Sequence, residues 1–213
     1  MQVAYLLYDR FTALDITGPH EVFNSVPDIE SVFVGEVAGP YRNESDTLSM
    51  VADRSLAEVT APDILVVPGG FGTRSLLDHQ PLLSWIREVD ESTTWTTSVC
   101  TGSLLLAAAG LLDGRPATTH WLARETLSGL GAEPVSDRVV FDGKYVTGAG
   151  VSAGIDMALT LVTEIYGPEL AQAVQLGIEY DPQPPHDAGA PDKAPKEIVE
   201  LVTAVFSAAE SSS

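Results

Sequence analysis

Short apolar runs alternate along this chain with stretches of helical periodicity. Residues 3–8 are a run of buried-type side chains and predict a first strand. Leu14-Asp15-Ile16-Thr17-Gly18-Pro19 then leads into a helix, with Thr17 as its N-cap, Pro19 near its first turn and Glu21, Val22 and Phe23 inside it. Residues 31–38 alternate as a second strand, and residues 48–56 form an extended excursion. Residues 63–67 predict a central strand that runs into Pro68-Gly69-Gly70-Phe71-Gly72. A helix is expected over 81–89, and a β-branched strand over 94–99 that ends at Cys100. An apolar helix over 102–110 closes on Gly110. Residues 139–141 and 145–147 flank Asp142-Gly143, a hairpin turn signal. Helical patterns follow over 152–166, 169–176 and 196–208.

Strands alternating with helices predict an α/β fold, a mainly parallel sheet sandwiched between helices. The chain has 213 residues, 45% of them hydrophobic, enough for one domain with a full core spanning 1–213. Within it the Pro-rich stretch 181–195 reads as a surface strap, 196–210 as a C-terminal helix and 211–213 as a frayed end. No apolar run reaches the roughly 18 residues of a membrane helix. The opening segment is too short, and lacks the basic flank, for a signal peptide. The net charge of −19, from 30 acidic and 11 basic residues, would repel phosphate backbones and argues against nucleic-acid binding. A single cysteine excludes an intrachain disulfide framework and fits a reducing cytoplasm. The four histidines are scattered, and no His, Cys or carboxylate spacing looks like a zinc site.

Open parallel sheets collect ligands at the carboxyl ends of their strands. Three loops there carry candidate chemistry. Cys100 sits on a tight strand-to-helix turn, a nucleophile-elbow arrangement in which the helix N-terminus would lower its pKa; the bland alternative is a buried structural cysteine. Thr101 could donate its hydroxyl to the sulfur or to a ligand. The Gly70 N–H, with Gly72 nearby, could hold negative charge developing on a substrate, or the loop could be a simple strand exit. Asp15 reads either as a helix-start cap or as a desolvated general acid beside the thiol. Glu21 is the competing acid, one to two helical turns further on. His120 is the histidine closest in character to the site, although a satisfied structural role is the commoner one. Trp121 could be core or pocket wall, and Asp156 reads as structural.

Four segments resemble isonitrile hydratases. They are Leu14-Asp15-Ile16-Thr17-Gly18-Pro19-His20-Glu21-Val22-Phe23, Ser98-Val99-Cys100-Thr101-Gly102-Ser103 continuing to Thr118-Thr119-His120-Trp121, Thr147-Gly148-Ala149-Gly150-Val151-Ser152-Ala153-Gly154-Ile155-Asp156, and Glu179-Tyr180-Asp181-Pro182-Gln183-Pro184-Pro185. That family lies in the PfpI-like superfamily, with a flavodoxin-like, class I glutamine amidotransferase-like fold. The resemblance implies hydration of an isonitrile, R–NC, to an N-substituted formamide, with a small-molecule substrate, no cofactor and a homodimer. It implies Cys100 as nucleophile, Asp15 as general acid/base protonating the isonitrile nitrogen, and Thr101 after the nucleophile where peptidase-like members carry histidine. The same cysteine leaves two rivals open: a glyoxalase or deglycase-like enzyme, and a redox sensor or chaperone. The ligand-sensing half of a transcription regulator fits less well, because the chain is acidic and shows no helix-turn-helix pattern.

Overall fold

A computed structural model describes residues 1–211, with side chains through residue 208. Eleven strands are present among them: β1 Gln2–Leu6, β2 Glu30–Gly35, β3 Gly39–Arg42, β4 Ser49–Ala52, β5 Arg54–Ser55, β6 Ile64–Val67, β7 Trp95–Val99, β8 Pro116–Ala117, β9 Glu133–Pro134, β10 Val139–Asp142 and β11 Tyr145–Gly148. The helices are α1 Ala13–Asn24, α2 Thr73–Leu76, α3 Gln80–Asp90, α4 Gly102–Ala108, α5 Arg124–Gly129, α6 Ala153–Tyr166, α7 Pro168–Gly177 and α8 Lys196–Ser211. Contacts divide the chain into a unit from Met1 to Ile178 and a second from Glu179 onward. In the second, residues 179–195 form no regular element before α8, which carries a Lys196–Glu200 ion pair one turn apart. The expected frayed end, 211–213, begins at the last residue of α8, and 212–213 lie outside the described residues.

The main sheet has the order β10-β11-β7-β6-β1-β2-β5. Every neighbouring pair is parallel except the β10–β11 hairpin, which turns at Asp142-Gly143 with Gly143 at φ +60°. Strands β1 and β6 are almost wholly buried, as expected of runs covered on both faces. Their side chains join those of Phe23, Leu83, Ile86, Leu104, Leu105, Met157 and Leu161 in one core. No described helix is long and apolar enough to cross a membrane.

One boundary departs from the sequence reading in a way that matters. Helix α1 starts at Ala13, with Thr12 and not Thr17 at its N-cap. Thr17 lies within the helix, its hydroxyl donating to the Ala13 carbonyl at 3.1 Å. Gly-Pro following threonine imitates a helix start, yet Gly18 and Pro19 are interior and buried. A Cβ on Gly18 would stand 3.0 Å from Ile155, and one on Gly154 would stand 3.1 Å from Pro19. Close packing of α1 on α6 therefore outweighs the local signal, and the shift places Asp15 in the first turn of α1.

Candidate active site

Strands β2-β1-β6-β7-β11 follow the flavodoxin-like order, whose switch point falls between β1 and β6. Three loops meet at the carboxyl ends there. One enters α1 after β1, one is Pro68–Gly72 after β6, and one is the Cys100 turn after β7. Cys100 adopts φ +57°, a left-handed backbone that costs a side-chain-bearing residue about 1–2 kcal/mol. Four hydrogen bonds hold it there. Its N–H donates to the carbonyls of Gly148 (3.1 Å) and Ala149 (2.9 Å). Its own carbonyl accepts from the hydroxyls of Ser103 (3.2 Å) and Thr119 (3.0 Å). The turn also sits against β6: a Cβ on Gly102 would stand 2.1 Å from the Val67 carbonyl oxygen.

Asp15 is fully buried beside this turn. Its Oδ2 accepts the Gly69 N–H at 2.8 Å, and a Cβ on Gly69 would stand 2.9 Å from that of Cys100. Oδ1 is buried with no partner at ordinary hydrogen-bond geometry, although the thiol is near enough to favour the carboxylate weakly. Burial raises the Asp15 pKa well above the usual 3.8; the Gly69 N–H opposes this, and the charge of Glu44 adds to it. Cys100 was expected to ionise easily, but the direction is the reverse. Burial first, then the charge of Asp15, push the thiol up, while the backbone N–H groups of Val151 and Thr101 pull it down by less. Desolvation thus overrides the short helix behind the turn. Thiol and carboxyl are both held toward their protonated forms.

The glycine loop and Thr101 satisfy each other. The Gly70 N–H, expected to face substrate charge, donates to Thr101 Oγ1 at 2.9 Å, and that hydroxyl lies 3.3 Å from the Gly70 carbonyl. Thr101 accordingly turns its hydroxyl to the loop, and it is its N–H that faces the sulfur. Gly70 has φ +135°, and a Cβ there would meet the Arg10 carbonyl oxygen at 2.3 Å. A Cβ on Gly72 would stand 2.1 Å from the Asp9 carbonyl oxygen. Both glycines therefore allow close backbone packing of this loop against the one that follows β1.

Glu21 is exposed on α1, six residues past the buried Asp15 and hence on another face of the helix. His120 lies one step away from the turn. Its ring edge crowds Gly150, where a Cβ would stand 2.8 Å from Cδ2, and its Nδ1 lies 3.4 Å from the Leu122 N–H. Burial, then Arg74 and Arg124, lower its pKa and so favour the neutral ring. Asp156 ion-pairs with Arg138, as a structural residue would. Two neighbours escaped the sequence reading. Tyr8, buried, donates to the Pro68 carbonyl at 2.7 Å and feels both Asp15 and Cys100. Glu44 stands in the β3–β4 turn, and its Oε2 accepts from the Thr12 hydroxyl at 3.1 Å. No local pattern marks Glu44; only long-range pairing brings it here. Among the described residues, no cluster of His, Cys, Asp and Glu could hold a metal ion.

Fold and site together define a doubly wound α/β protein with a buried cysteine–carboxyl pair at its strand ends. The chain belongs to the DJ-1/PfpI family, whose model matches residues 1–164. Among curated relatives, it is 44% identical to an isonitrile hydratase of Pseudomonas putida over 94% of this chain and 87% of the relative. It is 35% identical to the transcriptional regulator CdhR of Pseudomonas aeruginosa over 61% of this chain and 39% of that protein. Among solved structures, a THiJ/PfpI family protein from Pseudomonas syringae superposes with a TM-score of 0.94 at 35% identity, covering 99% of this chain and 87% of that one. Drosophila melanogaster DJ-1beta shares the fold, with a TM-score of 0.76 at 22% identity over 85% of this chain and 98% of that one.

Proposed function

We propose that the protein hydrates an isonitrile to an N-substituted formamide, with Cys100 as nucleophile and Asp15 as acid/base. The observation that carries this reading is the buried Cys100–Asp15 pair, in which Asp15 Oδ1 has no partner of ordinary geometry and the Cys100 thiol favours the carboxylate. The similarity to the Pseudomonas putida hydratase across nearly the whole chain supports the choice of substrate. Thr101 and Gly70 hold the loop that donates to Oδ2 and so fix the carboxyl.

The reactive form carries one proton on the pair. As sulfur bonds to the isonitrile carbon, Asp15 takes up the thiol proton and passes it on. Attack leaves the electron pair on carbon, so this first proton goes to carbon and not to nitrogen, giving the thioimidate R–N=CH–S–Cys100. This replaces the nitrogen protonation expected at the outset. Water then adds to the same carbon, the Asp15 carboxylate takes one of its protons, and nitrogen receives it. Collapse to the C=O bond expels the sulfur and returns the remaining water proton to the pair. The sum is R–NC plus water giving R–NH–CHO, with enzyme and proton inventory restored. In each half Asp15 starts as the carboxylate, is neutral while it carries the proton and ends as the carboxylate again, so one group serves as base and acid in turn, and its raised pKa favours the proton-carrying form.

The test offers the purified protein a simple alkyl isonitrile and, separately, methylglyoxal. Formamide from the first without loss of the second supports the reading. Consumption of methylglyoxal alone would replace it with a glyoxalase-like activity.

A further inference from the structure

The β3–β4 hairpin lies outside the main sheet, yet it grips the loop that carries Asp15 into the site. The Arg10 N–H donates to the Arg42 carbonyl at 2.7 Å, Phe11 bridges Asn43, and the Glu44 N–H donates to the Phe11 carbonyl at 3.0 Å. The turn is braced from within. Asn43 Oδ1 accepts the N–H groups of Thr47 (3.0 Å) and Leu48 (2.9 Å), and Arg42 pairs with Asp46 at 2.7 Å. Thr12, the N-cap of α1, makes no side-chain cap bond to its own helix. A threonine there ordinarily stabilises a helix by about 1 kcal/mol through that bond. Here its hydroxyl is given to Glu44 Oε2 instead. Glu44 is thus fixed three residues from Asp15 through the residue that starts the helix.

We propose that Glu44 is a positioning residue for the Asp15–Cys100 pair, fixing the first turn of α1 through Thr12 and setting the pair's proton occupancy by its negative charge. Tyr8 after β1 feels both members of the pair and Glu44 on the hairpin acts on both, whereas Arg74 on α2 acts on Tyr8 and His120, and Arg124 acts on His120. Glu44 acts in the same direction on Asp15, Cys100 and Tyr8, raising all three. Arg74 opposes it at Tyr8. A like charge held nearby makes each loss of a proton from the pair harder, so both limbs of a bell-shaped rate profile lie further to the alkaline side than they would without it. The inference rests on the hydratase reading only for what the activity profile reports.

The experiment compares wild type, Glu44→Gln, Glu44→Asp and, as a control on the same turn, Asp46→Asn. Two readouts are taken across pH: isonitrile hydration, and the rate of Cys100 alkylation by iodoacetamide. Glu44→Gln keeps an acceptor for Thr12 and removes the charge. Both limbs of its hydration profile should move to lower pH by several tenths of a unit, and Cys100 should alkylate faster than wild type at a given alkaline pH. Glu44→Asp keeps the charge but shortens the reach to Thr12, so its limbs should stay at the wild-type pH while its hydration rate falls, and Asp46→Asn, whose backbone carbonyl still accepts from Arg42, should follow wild type. Superimposable profiles for wild type and Glu44→Gln would overturn the proposal. Equal shifts in Glu44→Gln and Glu44→Asp would overturn its electrostatic part, leaving shape as the cause. A shifted alkylation rate with no isonitrile turnover in any variant would support the role of Glu44 and overturn the hydratase reading instead.

Discussion

Asp15→Asn separates chemistry from architecture at this site. The asparagine carbonyl can still accept the Gly69 N–H that Asp15 Oδ2 takes at 2.8 Å, so the first turn of α1 and the glycine loop should keep their places. The amide cannot give up or take a proton. Hydration should therefore fall on the order of 10²-fold or more, equivalent to roughly 2.7 kcal/mol of transition-state stabilisation. Cys100 should respond in the opposite sense. Where the carboxyl is ionised, its charge restrains the thiol, being second only to burial among the causes of its raised pKa. The variant should thus alkylate faster than wild type at alkaline pH. Stability gives a third readout. The folded pKa of Asp15 lies above the unfolded value near 3.8, so its contribution is complete below that value and is lost as pH rises through the folded pKa. Asn has no such loss, so the variant should melt higher than wild type at alkaline pH, with the gap closing toward acid. The assays are formamide formation, iodoacetamide labelling and thermal melting, run on one preparation. Retained hydration would refute the acid/base role. Hydration and labelling slowed together would show that the substitution merely disrupts the turn.

Other substitutions sort the neighbouring residues. Thr101→Val leaves the buried Gly70 N–H without the hydroxyl it meets at 2.9 Å, which should cost about 1–3 kcal/mol of stability in denaturant melts and slow hydration without abolishing alkylation. Gly102→Ala drives a methyl to 2.1 Å from the Val67 carbonyl oxygen, so the variant should be destabilised by roughly 3 kcal/mol or fail to fold, and wild-type melting would show that the turn can relax. Glu21→Gln, on an exposed face, should hydrate isonitrile at the wild-type rate; a large loss would move the acid to Glu21.

The parallel sheet was legible because β1 and β6 are short apolar runs and β7 a short β-branched, threonine-rich one, and each ends in a recognisable break: a polar loop, a glycine pair, or the cysteine. The place of Cys100 was legible for the same reason. Its ionisation was not, since its burial and the carboxyl beside it depend on loops from β1, β6 and β11 meeting in space. Asp15 was singled out, but its helix start was misplaced by the Thr17-Gly18-Pro19 signal, which packing against α6 overrules. Gly70 and Thr101 were singled out, but not that they would satisfy each other. Glu21 shares a sequence neighbourhood with Asp15 but not a helix face, and Glu44 shares the site without sharing the neighbourhood.

The central claim is a covalent bond between Cys100 and the isonitrile carbon. Its most direct test is rapid acid quenching of the protein during isonitrile turnover, followed by mass measurement of the intact chain and of the Cys100 peptide. The account predicts a transient gain equal to the whole isonitrile, confined to Cys100, appearing before formamide and decaying as substrate is exhausted, and absent from Cys100→Ala, which makes no formamide. Formamide produced at the wild-type rate by Cys100→Ala, or by a wild-type protein whose Cys100 peptide stays unmodified throughout turnover, would contradict it.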